Sequence, residues 1–165
     1  MTDQIRIAEL ADTEHVSELF NQYRMFYNQP SDLEGVSQYI KDRMQRNESI
    51  ILVAERVIES GEHDQNTEVD NRNNRGVMGF VQLYPSFSSV SMGCIWVLND
   101  LYVLPEYRQQ GIARKLLQAS RALAKERGII RLSLSTAISN KQAQALYESE
   151  GYAVDTNFLY YDLNV

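Results

Sequence analysis

One stretch of the sequence restricts the fold more than any other. From Gly93 to Leu104 apolar residues crowd a strand-length run, and Pro105 then withholds the backbone N–H that a longer strand would need. From Gly111 onward Ile112, Leu116, Ala119 and Leu123 recur at helical spacing as far as Arg127, and Gly128 ends the helix. A strand that passes through a tight turn into a long amphipathic helix has to lie in a sheet that the helix's apolar face can cover. The chain therefore reads as α/β.

The remaining elements fit that layout. Gln4 to Leu10 alternates as a short strand, with Leu10 out of step. Val16, Leu19, Phe20, Tyr23 and Tyr27 form one face of a helix that starts at Asp12 or Thr13 and is interrupted by Pro30. A second helix is predicted over 33–46, with Val36, Tyr39, Ile40 and Met44 inward, and a β-branched strand over 49–58. Ser60 to Arg75 holds almost nothing apolar except Val69 and is expected to be a mobile hairpin loop. Gly76 to Tyr84 reads as a strand, joined by a Ser-rich connection to the strand that begins at Gly93. Arg131 to Thr136 is a further strand, Lys141 to Glu150 a helix, and Gly151 to Leu163 a closing pair of strands. Strands alternate with helices only in the second half, so a sheet of mixed direction is expected. At 165 residues and 44% hydrophobic, one domain over 1–165 is expected.

Composition narrows the partners. The 22 acidic residues against 16 basic ones give a net charge of −6, which repels a phosphate backbone, so nucleic acid is not an expected partner. No apolar run approaches the roughly 20 residues that span a bilayer. Met1 to Leu10 carries Asp3 and Glu9 and lacks a signal-peptide core, so a cytoplasmic protein without membrane attachment is expected. Cys94 stands alone, which excludes an intramolecular disulfide and a thiol-rich metal site. No histidine lies near it in sequence, and it reads as a small buried hydrophobe. His15 and His63 lie far apart and read as surface residues, so no metal is expected.

The turn before the long helix has chemistry of its own. The first helical turn carries unpaired N–H groups and a partial positive charge, and small residues at Gly111 and Ala113 allow a bound group to come close. Arg108, Arg114 and Lys115 crowd cations where the helix dipole disfavours them. They are either compensated by an anion such as a pyrophosphate or solvated on the outer helix face. Neither Gly-x4-Gly-Lys-Ser/Thr nor Gly-x-Gly-x-x-Gly is present, which sets aside the P-loop and dinucleotide readings.

Arg108-x-x-Gly111-x-Ala113, with a strand before it and a long helix after it, resembles the signature of the GNAT superfamily of N-acetyltransferases. Asn140, Ala143 and Tyr147, followed by Gly151-Tyr152, are similar to a second feature of that family. The likeness runs from about Leu98 to Tyr152, and before Ile50 it rests on the order of elements. It implies a mixed, mostly antiparallel central sheet flanked by helices, with strands splayed at the cofactor site. It also implies acetyl-CoA as cosubstrate and direct acetyl transfer to a primary amine in a ternary complex. On this resemblance Gln109, Gln110, Gly111, Ile112, Ala113 and Arg114 would wrap the pyrophosphate beside Arg108. Leu101, Tyr102 and Val103 would pair with the pantetheine arm. Asn140 would touch the cofactor, and Tyr147 would lie near the thioester sulfur as the acid for the departing thiolate. By spacing alone Tyr147 is a core aromatic and Asn140 a helix cap, and Asn140 can be both cap and ligand.

An amine with a pKa near about 10 must lose a proton before it attacks. In the polyamine-acetylating branch that Leu98 to Val103 resembles, the residue before the strand's aspartate is acidic and serves as the base; here it is Asn99, an amide. Asp100 remains, as base or as a hydrogen-bonded structural carboxylate. Strand alternation puts it on the face of Trp96, Leu98 and Tyr102. A backbone N–H near Tyr102 or Val103 is the candidate oxyanion donor.

The same resemblance draws the acceptor pocket from Tyr23, Phe26, Tyr27 and Asn28 together with Gln82, Tyr84, Phe87 and Ser88. Tyr27, Gln82, Tyr84 and Asn99 are its chosen contacts. Tyrosine faces attract an ammonium group. A small-molecule amine such as a polyamine, amino acid or aminoglycoside is the expected acceptor. A protein or peptide amine, and a non-catalytic acyl-CoA sensor kept open by Asn99, are the alternatives. A homodimer through the 157–163 strand is a further expectation from resembling proteins.

Overall fold

A computed structural model describes residues 2–57 and 76–165, so the loop expected over Ser60 to Arg75, with His63 inside it, lies outside the described residues. The chain divides into two compact units, Met1–Ser135 and Thr136–Val165.

In the first unit the elements are β1 (Thr2–Ile7), a 3-10 turn at Leu10–Asp12, α1 (Thr13–Phe26), α2 (Leu33–Gln45), β2 (Ile50–Val57), β3 (Gly76–Ser88), β4 (Gly93–Val103), a second 3-10 turn at Pro105–Tyr107, α3 (Ile112–Glu126) and β5 (Arg131–Leu134). The sheet runs β1-β2-β3-β4-β5, antiparallel through β4 and parallel only between β4 and β5. This is the mixed, mostly antiparallel α/β sheet expected from the sequence.

Each boundary has a local cause. Asn28 takes a left-handed φ of 60° just after α1, and the Asp32 carboxylate caps α2 by accepting the Gly35 N–H at 2.9 Å. One sheet face is built from Ile51, Val53, Phe80 and Tyr102, packed with Val16, Phe20 and Ile40 of α1 and α2. The other face is covered by α3, which packs against β2, β3 and β4. Gly79 lets the central strands close up, because a Cβ there would stand 2.6 Å from the Tyr102 carbonyl oxygen.

Several expectations need correction. β3 continues through Pro85 to Ser88, so most of the Ser-rich connection is strand, and the turn is confined to 89–92, where Met92 has a φ of 50°. The buried stripe of α3 is wider than expected and includes Leu117, Ser120 and Ala124. Cys94 is exposed, not buried. It pairs with Phe87, itself 78% exposed, near the hairpin end of β3 and β4.

The second unit holds α4 (Lys141–Ser149), capped by Asn140, whose side chain accepts the Ala143 N–H at 3.2 Å. The closing pair of strands expected over Gly151 to Leu163 is absent. The Asp155 carboxylate instead accepts the N–H groups of Asn157 and Phe158, at 2.8 and 3.2 Å, in a local turn. Alternating apolar residues announce a strand, but an isolated strand pair is marginal without a sheet to join.

Candidate active site

The site in the first unit begins with an irregularity of β4. Leu83 stands opposite Leu98 and Gln82 opposite Asp100, so Asn99 is an extra residue that no residue of β3 faces. The bulge reverses the pleat. Trp96 and Leu98 stay on the α3 side, where the Arg127 guanidinium lies 5.8 Å from the Trp96 ring centre. Asp100 and Tyr102 turn to the α1 and α2 side, where Tyr23 packs edge-on against Tyr102 at 6.3 Å. The expectation that Asp100 shares a face with Trp96 and Leu98 is therefore corrected, and Tyr102 alone remains its same-face neighbour.

Asp100 is 3% exposed. Gln82 Nε2 donates to its Oδ2 at 2.8 Å and Asn99 Nδ2 to its Oδ1 at 3.1 Å. Burial raises the Asp100 carboxyl above the ordinary carboxylate range, and the hydrogen bonds from Gln82, Asn99 and Tyr23 oppose that rise in part. Asn99 has an exposed side chain, and its carbonyl faces the Tyr23 hydroxyl at 3.5 Å.

From Gln82 the network continues outward. The same Nε2 donates to the Tyr84 hydroxyl at 2.7 Å, and that hydroxyl meets the Tyr39 hydroxyl at 2.8 Å. Burial, the Tyr39 contact and the Asp100 charge push the Tyr84 phenol up, so it stays protonated at neutral pH. The Tyr27 ring is 44% exposed and packs edge-on to Tyr23 at 5.1 Å. Gln82, Tyr84 and Asn99 are thus gathered around Asp100, with Tyr27 beyond Tyr23. Phe87 and Ser88 lie further along β3, at its hairpin end. Tyr39 is the site residue that the sequence reading placed only in the core. Its position three residues from Val36 and one before Ile40, at the margin of the buried stripe of α2, was the available signal.

The turn between β4 and α3 forms a second feature. Gln109 and Gly111 have φ of 60° and 80°, and the space where a Gly111 Cβ would point is open. Gly111 thus meets the conformational demand of the left-handed turn. The N–H groups of Ile112 and Ala113 head a 15-residue helix, where the first turn's N–H groups have no intrahelical partner. The Arg108 side chain turns back, donating from Nε to the Val103 carbonyl at 2.9 Å with its guanidinium 5.3 Å from the Tyr102 ring centre. Lys115 pairs with Asp3 of β1 at 3.1 Å.

β5 pairs with β4 only from Ile95 to Leu98, so the strands part just before the bulge. Beyond that point no strand among the described residues of the unit joins β4 on this edge. The Leu104 N–H bonds to Met78 of β3, so pleat alternation turns the backbone groups of Val103 and Leu101 to the open edge. Asn140 and Tyr147 belong to the second unit, where Tyr147 packs edge-on against Tyr152 at 6.0 Å. Among the described residues no group of His, Cys, Asp and Glu is gathered to hold a metal, and no helix is long and apolar enough to cross a membrane.

A parted strand pair thus lies beside a left-handed turn at a helix head, with a buried carboxylate at the bulge. The chain matches the Acetyltransferase (GNAT) family over residues 17–152. It is 44% identical to the uncharacterized N-acetyltransferase YhfO of Bacillus subtilis, over 98% of this chain and 97% of that protein. A solved structure of a probable acetyltransferase superposes with a TM-score of 0.81 at 35% identity, covering 98% of this chain and 97% of that one. A thialysine N-epsilon-acetyltransferase of Caenorhabditis elegans is 30% identical over 52% of this chain and 58% of its own length. The chain belongs to the GNAT family and is an acetyltransferase.

Proposed function

We propose that the protein acetylates a primary amine of a small molecule in the cytoplasm, as a single catalytic domain that works as a homodimer. The observation that carries this reading is Asp100, a buried carboxylate with raised pKa beneath the phenols of Tyr23, Tyr39 and Tyr84 and next to the exposed Asn99. A cationic acceptor is favoured by the tyrosine faces and by the net charge of −6. Gln82 Oε1, buried without a hydrogen-bond partner among the described residues, adds an acceptor on the same side. The partial likeness to a thialysine acetyltransferase points the same way. The family match extends across both compact units, which supports one functional domain.

Acetyl-CoA, when bound, supplies an acetyl group activated as a thioester. The residues present fit it. The N–H groups that follow the left-handed turn of Gln109 and Gly111 suit a pyrophosphate, and the open edge at Leu101 and Val103 suits an amide-bearing arm. In this reading Asp100 accepts the amine proton, directly or through one water, and its raised pKa brings it nearer to the working pH than an ordinary aspartate. The outward N–H groups of Leu101 and Val103 donate to the oxygen on which charge develops. Tyr147 keeps the role of proton donor that the resemblance gives it.

A thiol-release assay against spermidine, lysine, thialysine, an aminoglycoside and a lysine-bearing peptide tests the reading. Turnover with small amines is the expected result. Turnover confined to the peptide, or acetyl-CoA binding without turnover on any amine, overturns it.

A further inference from the structure

The hydrogen-bond run that starts at Asp100 ends in a surplus of donors. Gln82 gives one amide hydrogen to Asp100 and the other to Tyr84. The Tyr84 and Tyr39 hydroxyls share a single hydrogen bond at 2.8 Å, so one of their two phenolic hydrogens is left over. Neither hydroxyl has a further acceptor among the described residues, and Tyr39 is 39% exposed. The outer end of the run therefore offers an O–H to whatever binds there.

A cation stands at the same end. Arg43 follows Tyr39 by one turn of α2, and its guanidinium lies 5.0 Å from the Tyr39 ring centre. Its charge reaches along the run: burial, the Tyr39 contact and the Asp100 charge push the Tyr84 phenol up, and Arg43 pulls against them. Among the described residues the acidic partner of Arg43 is Glu48, 2.6 Å from Nε. That N–H is out of line for a hydrogen bond, and the Glu48 side chain is 46% exposed, so the pair holds the cation weakly. The described contacts thus put one carboxylate, Asp100, at the buried end and one cation, Arg43, at the open end, with neutral phenols and amides between.

We propose that the acceptor is an amino acid, or another amine that carries a carboxylate, with its amine directed to Asp100 and its carboxylate to the Tyr39 hydroxyl and the Arg43 guanidinium. A planar guanidinium pairs with a carboxylate through two parallel hydrogen bonds, and the phenol adds a third. A diamine offers Arg43 no partner and brings a second ammonium toward it, and the neutral Asn99 amide supplies that ammonium with no counter-charge. The inference rests on the reading of Asp100 and the phenols as the acceptor site, and names what they select.

Two pairs of acceptors isolate the carboxylate, lysine with cadaverine and ornithine with putrescine, because each diamine is its amino acid without that group. The net charge of −6 favours the approach of the doubly charged diamines, so a preference for the amino acid has to arise within the site. In a thiol-release assay kcat/KM is expected to be about 10-fold or more higher for the amino acid in at least one pair. Arg43→Gln is expected to erase that ratio by raising KM for the amino acid, and Arg43→Glu to invert it, with thermal melts showing that each variant is folded. Tyr39→Phe, which keeps the ring, is expected to lower the ratio by a smaller factor. The ratio of the parent decides even where a variant fails to fold. Diamines used as well as or better than their amino acids in both pairs, or a preference that folded Arg43 variants retain, overturn the carboxylate assignment and leave the amine-acetylating reading standing. Turnover on no small amine overturns both.

Discussion

Gln82 donates to Asp100 and to Tyr84 from the same nitrogen, at 2.8 and 2.7 Å, so one fully buried amide fixes the carboxylate and the phenol relative to each other. The bulge at Asn99 brings Gln82 and Asp100 to the same side of the sheet. Two of the predictions below follow from this pair.

Asp100→Asn removes the proposed proton acceptor and keeps the shape. We expect kcat/KM to fall by about 10²-fold or more, with acetyl-CoA affinity within twofold of the parent. The acid limb of the pH profile in the parent is expected above the ordinary aspartate range, because burial raises this carboxyl, and it should vanish in the variant. A profile unchanged by the substitution would falsify the assignment.

Gln82→Met tests the same carboxylate from its donor. The Gln82 hydrogen bond lowers the Asp100 pKa, so its loss is expected to move the acid limb to higher pH. The folded-state sign follows: a carboxyl whose pKa is raised in the fold adds stability at low pH and loses it as pH rises through that value. Denaturant titrations should show the variant losing stability toward neutral pH more steeply than the parent.

Gly111 separates backbone from charge. Gly111→Ala places a Cβ in open space but at a φ of 80°, and a cost of about 1 kcal/mol is expected in thermal melts. Gly111→Glu adds a carboxylate beside the helix head, and calorimetry is expected to find no acetyl-CoA binding.

Tyr147→Phe removes one hydroxyl. A fall in kcat of about 10²-fold with little change in acetyl-CoA affinity is expected from loss of a general acid, and single-turnover kinetics check it. Turnover equal to the parent's eliminates the role.

Arg6 joins Asp12 and Glu55 at 2.7 and 2.9 Å, with both carboxylates nearly buried. Arg6→Leu removes the cation that both acids share, although Asp12 keeps the Glu9 N–H at 2.7 Å, and should destabilise the fold by about 3 kcal/mol at neutral pH, checked by denaturant titration.

Much of this was legible in the residues themselves. The helical spacing of Val16, Leu19 and Phe20, the stop at Gly128 and the turn at Arg108 to Gly111 are local signals, and the elements they announce are present. What escaped depends on partners distant in sequence. The phase of Asp100 hinges on how β4 registers with β3, and no reading of β4 alone reveals that Asn99 has no opposite number. Pro85 reads as a breaker, yet it stands inside β3 opposite Trp96. The tail from Phe158 to Leu163 carries a strand pattern, yet it enters no ladder among the described residues. The local partners of Arg108, the Val103 carbonyl and the Tyr102 ring, likewise depend on where the chain folds back and are not written in the residues around it.

The one-residue slip in β4 also divides the labour of the strand. Trp96 and Leu98 face α3, whereas Asp100 and Tyr102, the next even-numbered side chains, face α1 and α2. A lineage can therefore reshape the surroundings of Asp100 while Trp96 and Leu98 keep their own packing. Shortening the chain by Asn99 alone would merge the two territories and swing the carboxylate to the wrong side of the sheet.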